Sequence, residues 1–190
     1  MILRITLLSL VFWLSGCTIT GKSPPSQFYI LPPPREIQPL SQREQVIAIA
    51  PVRLPKYLER PQIVTLHEGG KIRLAEFHRW AEPLRAGFTR VLGAGLAARL
   101  PQSHIITLPA PRAHPDWVLR TQVHEFQVYP DHCRLQVDWR LSRGDRDHAW
   151  HRTEIRQSLA GRDYTSIVTA MGLAVDRLAA RVAEALARPD

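Results

Sequence analysis

The sequence predicts an α+β fold: one domain with a mainly antiparallel sheet and two long helices packed on one face. Three observations predict it. Leu135, Val137, Trp139 and Leu141 alternate with Arg134, Gln136, Asp138 and Arg140, the period of a strand with one face buried and one wet. Two segments, near residues 83–100 and 163–187, repeat apolar residues at steps of three and four, the period of a helix. Strands cluster before, between and after these segments, which is the order of an α+β chain rather than a regular βαβ alternation. The 190 residues are 45% apolar and 22% charged, enough for one packed core and wrong for a disordered chain.

Residues 1–16 stand outside that domain. Arg4 supplies a cation, Ile5 to Trp13 is a short apolar and hydroxyl-bearing stretch, and Leu14-Ser15-Gly16-Cys17 follows. A nine-residue helix spans only about 14 Å, far short of a bilayer crossing, so the layout is that of a cleaved export signal. Leu-Ser-Gly-Cys also resembles the bacterial lipobox, in which the thiol receives diacylglycerol as a thioether, the chain is cut before the Cys and the new amine is acylated. Cys17 is then the lipidation site, and more than one acyl chain gives stable attachment at roughly 0.8 kcal/mol per buried methylene. Thr18 follows rather than Asp; by resemblance to Gram-negative lipoprotein sorting this implies the outer membrane, with the body facing the periplasm. Residues 17–26 form the lipidated Cys and a flexible tether, and 27–190 the folded domain. The nine small, polar and Pro residues 18–26 reach at most about 30 Å.

Within the domain, Phe28–Leu31 reads as a first short strand, stopped by Pro32-Pro33-Pro34. Val46–Val52 is a β-rich run of the kind buried on both faces. Gln62–His67 and Lys71–Phe77 flank Glu68-Gly69-Gly70, a hairpin signal. Pro83 opens a helix, where its missing N–H does no harm, and Pro101 closes it. Gly93 and Gly95 each weaken that helix by about 1 kcal/mol relative to Ala and point to close packing. His104–Leu108 is a short strand. Trp117–Tyr129, Cys133–Ser142 and Ala149–Leu159 form an antiparallel meander, in which Cys133 is expected as a half-buried strand residue. Asp163 caps the last helix. No internal repeat is present.

Charge narrows the partners. Lys+Arg is 25 against 17 for Asp+Glu, a formal +8, with the cations spread along the chain. There is no zinc-finger spacing, basic heptad or aromatic RNA-binding strand, so nucleic acid is not expected. A positive surface suits anionic head groups.

No catalytic constellation emerges. Gly16-Cys17-Thr18-Ile19-Thr20-Gly21-Lys22-Ser23 matches the phosphate-loop pattern in letters, but it follows an export signal, and Pro24-Pro25 block the helix that such a loop requires. His124, His132, Cys133, His148 and His151 lack the helical spacing of metal ligands. Asp138, Asp145, Asp147 and Glu154 read as solvated strand or turn carboxylates. Neither enzyme activity, metal nor cofactor is expected.

Two stretches are more individual: Val52-Arg53-Leu54-Pro55-Lys56-Tyr57-Leu58-Glu59-Arg60-Pro61-Gln62-Ile63-Val64 and Arg79-Trp80-Ala81-Glu82-Pro83-Leu84. They resemble the PqiC/YmbA family of lipoproteins, auxiliary components of MCE-type transport systems, whose pattern has Asp where this chain has Glu59. The resemblance spans the mature chain. It implies a non-enzymatic outer-membrane subunit that docks to an MCE-domain (PqiB-like) protein bridging the periplasm, with phospholipid as cargo and a homo-oligomeric ring as the geometry suited to a channel. A structural envelope lipoprotein that stabilises a complex without handling lipid is the alternative. Leu58, Arg60, Pro61, Gln62, Trp80 and Glu82 are the candidate partner or self-association contacts, since Trp and Arg dominate interfaces; the competing expectation is that they shape a strand start and pack under a helix.

Overall fold

A strand of four consecutive apolar residues has no side to show to water, so it belongs inside a sheet. In the computed structural model, which describes residues 23–33, 37–66 and 68–188, that strand is β2 (Val46–Ile49). It lies between two parallel neighbours, β5 (His104–Thr107) and β6 (Trp117–Val128). Beyond Ile49 the chain keeps following β6. The Ala50 N–H donates to the Leu119 carbonyl at 2.9 Å, Arg53 N–H to the Thr121 carbonyl at 3.3 Å, and Val123 N–H to the Arg53 carbonyl at 2.9 Å. β7 (His132–Arg143) pairs antiparallel with β6, and both the two-residue β8 (Arg146–Asp147) and β9 (His151–Ser158) pair antiparallel with β7. The order in this sheet is β5-β2-β6-β7.

A second sheet has three strands in the order β1 (Gln27–Tyr29), β4 (Ile72–Trp80), β3 (Gln62–Leu66). β3 and β4 form the expected hairpin. Gly69 and Gly70 turn it with φ of 71° and 76°, a region that L side chains avoid. β1 adds to β4 in parallel, Tyr29 opposite Trp80.

Two helices cover the larger sheet. α1 (Leu84–Arg99) ends just before Pro101, and α2 (Tyr164–Ala187) starts at Asp163, whose carboxylate accepts from the Ser166 N–H at 3.0 Å. The sequence stripe Leu84, Phe88, Val91, Leu92 and Leu96 is buried on α1, with Ile167, Met171, Ala174, Leu178, Val182 and Leu186 on α2. Phe88 of α1 meets Phe126 of β6 edge-on, centroids 5.7 Å apart, a geometry that suits the ring quadrupoles. Where the helices cross, Gly95 lies so close that a Cβ there would be 2.7 Å from Ala179 Cβ. Beside this crossing Arg99 of α1 donates to both carboxylate oxygens of Asp176 of α2, at 2.7 and 3.1 Å, and to the Gly95 carbonyl at 2.9 Å.

The class is α+β, as the sequence predicts, with two refinements. The strands divide into two sheets, and β1–β4, β2–β5 and β2–β6 are parallel. The link from β2 to β5 contains the hairpin and α1, a crossover long enough to bring the chain back in the same direction. Cys133 is fully buried rather than half-buried. It shares the parity of Leu135, Val137 and Trp139, so it sits on the covered face. Burial, with a smaller push from Glu125, raises its thiol to about 12.

Candidate functional site: an open cleft at the start of α1

The two motif stretches meet because β3 and β4 are antiparallel: the end of one lies against the start of the other, with Gln62 opposite Arg79. The Trp80 N–H donates to the Pro61 carbonyl at 2.7 Å, and the Ala81 N–H to the Tyr29 carbonyl at 2.8 Å. Pro83, at φ −52°, then turns the chain into α1. The third wall comes from the larger sheet, where Leu108 N–H donates to the Ile49 carbonyl at 2.9 Å and so sets Thr107-Leu108 beside Pro51-Val52.

These segments enclose an open cleft of about 930 Å³. Arg60 and Pro61 form one rim, Trp80, Ala81, Glu82, Pro83 and Leu84 the floor and the helix start, and Pro51, Val52 and Leu108 the far side. Trp80 is 6% exposed, so it both belongs to the core and shows an edge to the cleft. Leu58 closes a short 3-10 turn, Lys56–Leu58, and lies in the core at 2% exposure, lending the cleft no surface. Gln62 is half-buried beside it. Of the candidates, Arg60, Pro61, Trp80 and Glu82 come together. Cys17, the signal segment and tether residues 18–22 lie outside the described residues.

Ion pairs hold the arginines around the cleft. Arg85 pairs with Glu59, and Arg90 with Glu82 at 2.6 Å, while Arg90 also donates to the Leu31 carbonyl at 2.9 Å. Such exposed pairs contribute at most about 1 kcal/mol each; their effect is to fix side-chain positions. Glu82 does not cap α1. Pro83 at the cap position makes no side-chain hydrogen bond, and no acidic residue occupies the first turn; the carboxylates near the helix start are those of Glu82 and Glu59, each paired with an arginine of α1. Reading the motifs misses Arg85, Arg90, Thr107 and Leu108. The eight-residue spacing of Glu82 and Arg90, about two helical turns, is a signal that could have found one of them. Nothing local marks Thr107 or Leu108.

The arrangement is built to bind. Its walls are mainly apolar; Glu59 and Glu82 are each paired with an arginine, and Arg60 stands exposed on its border. Elsewhere, His124, Asp138 and Glu154 belong to a cross-strand lattice with arginines on the face of the larger sheet away from the helices. Asp138 bonds Arg152 at 2.8 and 2.9 Å and His124 at 2.9 Å. The Arg152 guanidinium, helped by His124, holds the Asp138 carboxyl well below the usual carboxylate range. Glu154 is lowered by Gln136 and Arg134, and Asp147 by the Ser142 hydroxyl. Asp145 is exposed. His132 stacks on Tyr129, and His151 on Trp139; His148 tilts against Trp117. Among the described residues no three His, Cys, Asp or Glu side chains are placed to hold a metal ion, and no helix is long and apolar enough to cross a membrane.

The family model described as ABC-type transport auxiliary lipoprotein component matches residues 29–183. The chain belongs to that family. No curated protein matches it in sequence. Two solved structures share the fold. A crystal structure of an uncharacterized protein has a TM-score of 0.73 at 18% identity, covering 86% of this chain and 99% of that one. Protein XCC0632 from Xanthomonas campestris has a TM-score of 0.67 at 12% identity, covering 82% of this chain and 92% of that one. This auxiliary lipoprotein therefore carries its family's α+β body over most of its length, with the cleft inside the matched region.

Proposed function

We propose that this auxiliary lipoprotein is a non-enzymatic outer-membrane subunit of an MCE-type intermembrane lipid transport system. Acyl chains on Cys17 moor it to the outer membrane, the body faces the periplasm, and the cleft at the start of α1 docks an MCE-domain protein that bridges the two membranes. The observation that carries this reading is the convergence of the two motif stretches on one open apolar cleft, with Trp80 in its floor and Arg60 on its rim. Desolvated aromatic residues ringed by Arg are the usual anchors of a protein contact, and membership of a transport-auxiliary family supports transport as its setting. Arg60, Pro61, Trp80 and Glu82 are the proposed contacts; Leu58 and Gln62 support them from behind. The two carboxylates that line the cleft, Glu59 and Glu82, are each held by an arginine, which favours binding over chemistry.

The test is purification from envelope membranes in mild detergent. An MCE-domain protein should co-purify, and Arg60→Glu should reduce its recovery. Cys17→Ala should move the protein from the membrane fraction to the soluble periplasm. Continued sedimentation of that variant with membranes would contradict the anchor, and recovery of the protein without any MCE-domain partner would contradict the docking.

A further inference from the structure

Pro51, Val52, Glu59 and Arg85 border two hollows at once. On one side is the apolar cleft. On the other is a trough of about 830 Å³ lined by Arg53, Lys56, Arg120, Arg140 and Trp150. Among the described residues the only carboxylate lining the trough is that of Glu59, and it is taken by Arg85. Arg140 pairs with Asp147 at 2.6 Å and stacks over Trp150, 4.9 Å from the ring centre. Arg120 donates to the Ser142 hydroxyl at 2.8 Å. Arg53 and Lys56 are exposed and make no ion pair among the described residues. Arg140 lines the trough, and its buried Nε has no hydrogen-bond partner. Buried polar atoms are costly to leave unpaired, so this trough offers donors and positive charge in search of an acceptor.

We propose that the apolar cleft and the cationic trough form one binding site for an anionic amphiphile, its acyl tail against Val52, Pro61, Trp80 and Leu108 and its phosphate or carboxylate head on Arg53, Lys56 and Arg120. Each half is alone an ordinary surface feature; joined by a shared wall, they match a molecule that is apolar at one end and negative at the other. The volume of the cleft falls within the roughly 300–1,000 Å³ typical of ligand sites. The proposal rests on the envelope-lipid reading above and deepens it. The tether argues for a membrane source. β1 runs parallel to β4, with Gln27 opposite His78 and Tyr29 opposite Trp80, so the chain that leads back to Cys17 leaves the hairpin two residues, about 7 Å, before the cleft floor. Residues 18–26 keep Gln27 within about 30 Å of the bilayer to which Cys17 is moored.

The experiment uses the full chain in vesicles containing phosphatidylglycerol or phosphatidylcholine with a diazirine in the acyl chain. After irradiation, labelled peptides are mapped by mass spectrometry. Phosphatidylglycerol should label peptides from residues 51–61 and 80–90, and phosphatidylcholine should label them several-fold less. The double variant Arg53→Glu/Lys56→Glu should lose at least about tenfold of that labelling, since each cation near an anionic head group contributes roughly fivefold. Ala86→Trp, at an exposed position on the cleft wall, should block the tail without changing the fold, which circular dichroism checks. Excess inorganic phosphate should leave labelling intact; complete competition would mean that the trough binds a free anion and would overturn the amphiphile assignment. Equal labelling by both lipids, or labelling elsewhere, would overturn it too. Recovery of the MCE-domain partner is measured on the same variants. Lost partner with unchanged lipid labelling would make the trough a protein contact, refuting this inference while the docking reading stands.

Discussion

Gly93 and Gly95 of α1 differ in surroundings while sharing the same backbone cost, which makes a sharp comparison. Replacing either by Ala removes a helix-interior glycine and so favours the fold by about 1 kcal/mol. At Gly93 the new methyl would be 3.4 Å from Ile49 Cδ1 and 3.7 Å from Ile105 Cγ2, contacts that a small rotation of the Ile49 terminus relieves. At Gly95 it would be 2.7 Å from Ala179 Cβ and 2.9 Å from Asp176 Oδ1. Carbon atoms in contact prefer about 3.5–4.0 Å, so the helices must part by nearly 1 Å, and Ala179 has no side-chain torsion to turn away. Overpacking of this kind costs about 1–3 kcal/mol, and the Arg99–Asp176 pair shifts with it. Gly95→Ala should therefore be destabilising by up to about 2 kcal/mol net, and Gly93→Ala neutral or stabilising. At roughly 2–4 °C per kcal/mol for a domain of this size, thermal unfolding followed by circular dichroism should lower the midpoint of Gly95→Ala by several degrees relative to Gly93→Ala. Equal midpoints would refute the claim that the helix crossing is set by the missing side chain at 95.

Three further outcomes follow from other parts of the body. Asp176→Ala leaves Arg99 buried without its carboxylate and should cost about 3 kcal/mol, read from urea denaturation; an effect below 1 kcal/mol would mean water replaces the partner. Asp138, Asp131, Asp147, Asp163 and Glu154 all have folded-state pKa values below the usual carboxylate range, so the stability they contribute is present above about pH 4, the unfolded value. It is lost as pH falls through their depressed folded values. The urea midpoint should drop between pH 5 and pH 2, and Asp138→Asn should flatten that slope. Cys133, with its thiol pushed up to about 12, should resist a thiol reagent in the native state at pH 8 and react on unfolding; prompt native labelling would contradict its burial.

The strands and helices that sequence reasoning located are those whose signal is local. The alternation Leu135, Val137, Trp139 and Leu141, the Gly69-Gly70 turn and the Asp163 cap each announce themselves within a few residues. What pairs with what in parallel does not. Nothing near Val46–Ile49 says that His104–Thr107 and Trp117–Leu119 will flank it, because each contact closes a loop of more than fifty residues. The candidate site divides along the same line. Arg60, Pro61, Trp80 and Glu82 were visible as unusual residues on one hairpin and the turn after it, whereas Pro51, Thr107 and Leu108 reach the cleft through those parallel pairings. Leu58 shows the opposite limit: a residue inside a distinctive motif can serve the core alone. The burial of Cys133 was legible from its parity with Leu135, but a lone thiol at a strand end gives no hint of how far the covering helix extends.

The way β1 is fastened has a mechanical side. Its three residues run alongside β4 in the same direction, where hydrogen bonds are evenly spaced, and Leu31 directly behind is 1% exposed. Pro32 then packs over Gly172 of α2, leaving no room there for a methyl group. Tension along the strand axis from the amino end is shared by these bonds in shear, with a wedged leucine and proline as a stop, instead of peeling them open one at a time. A pull on the segment before Gln27 therefore meets the bonds of the strand together rather than in turn.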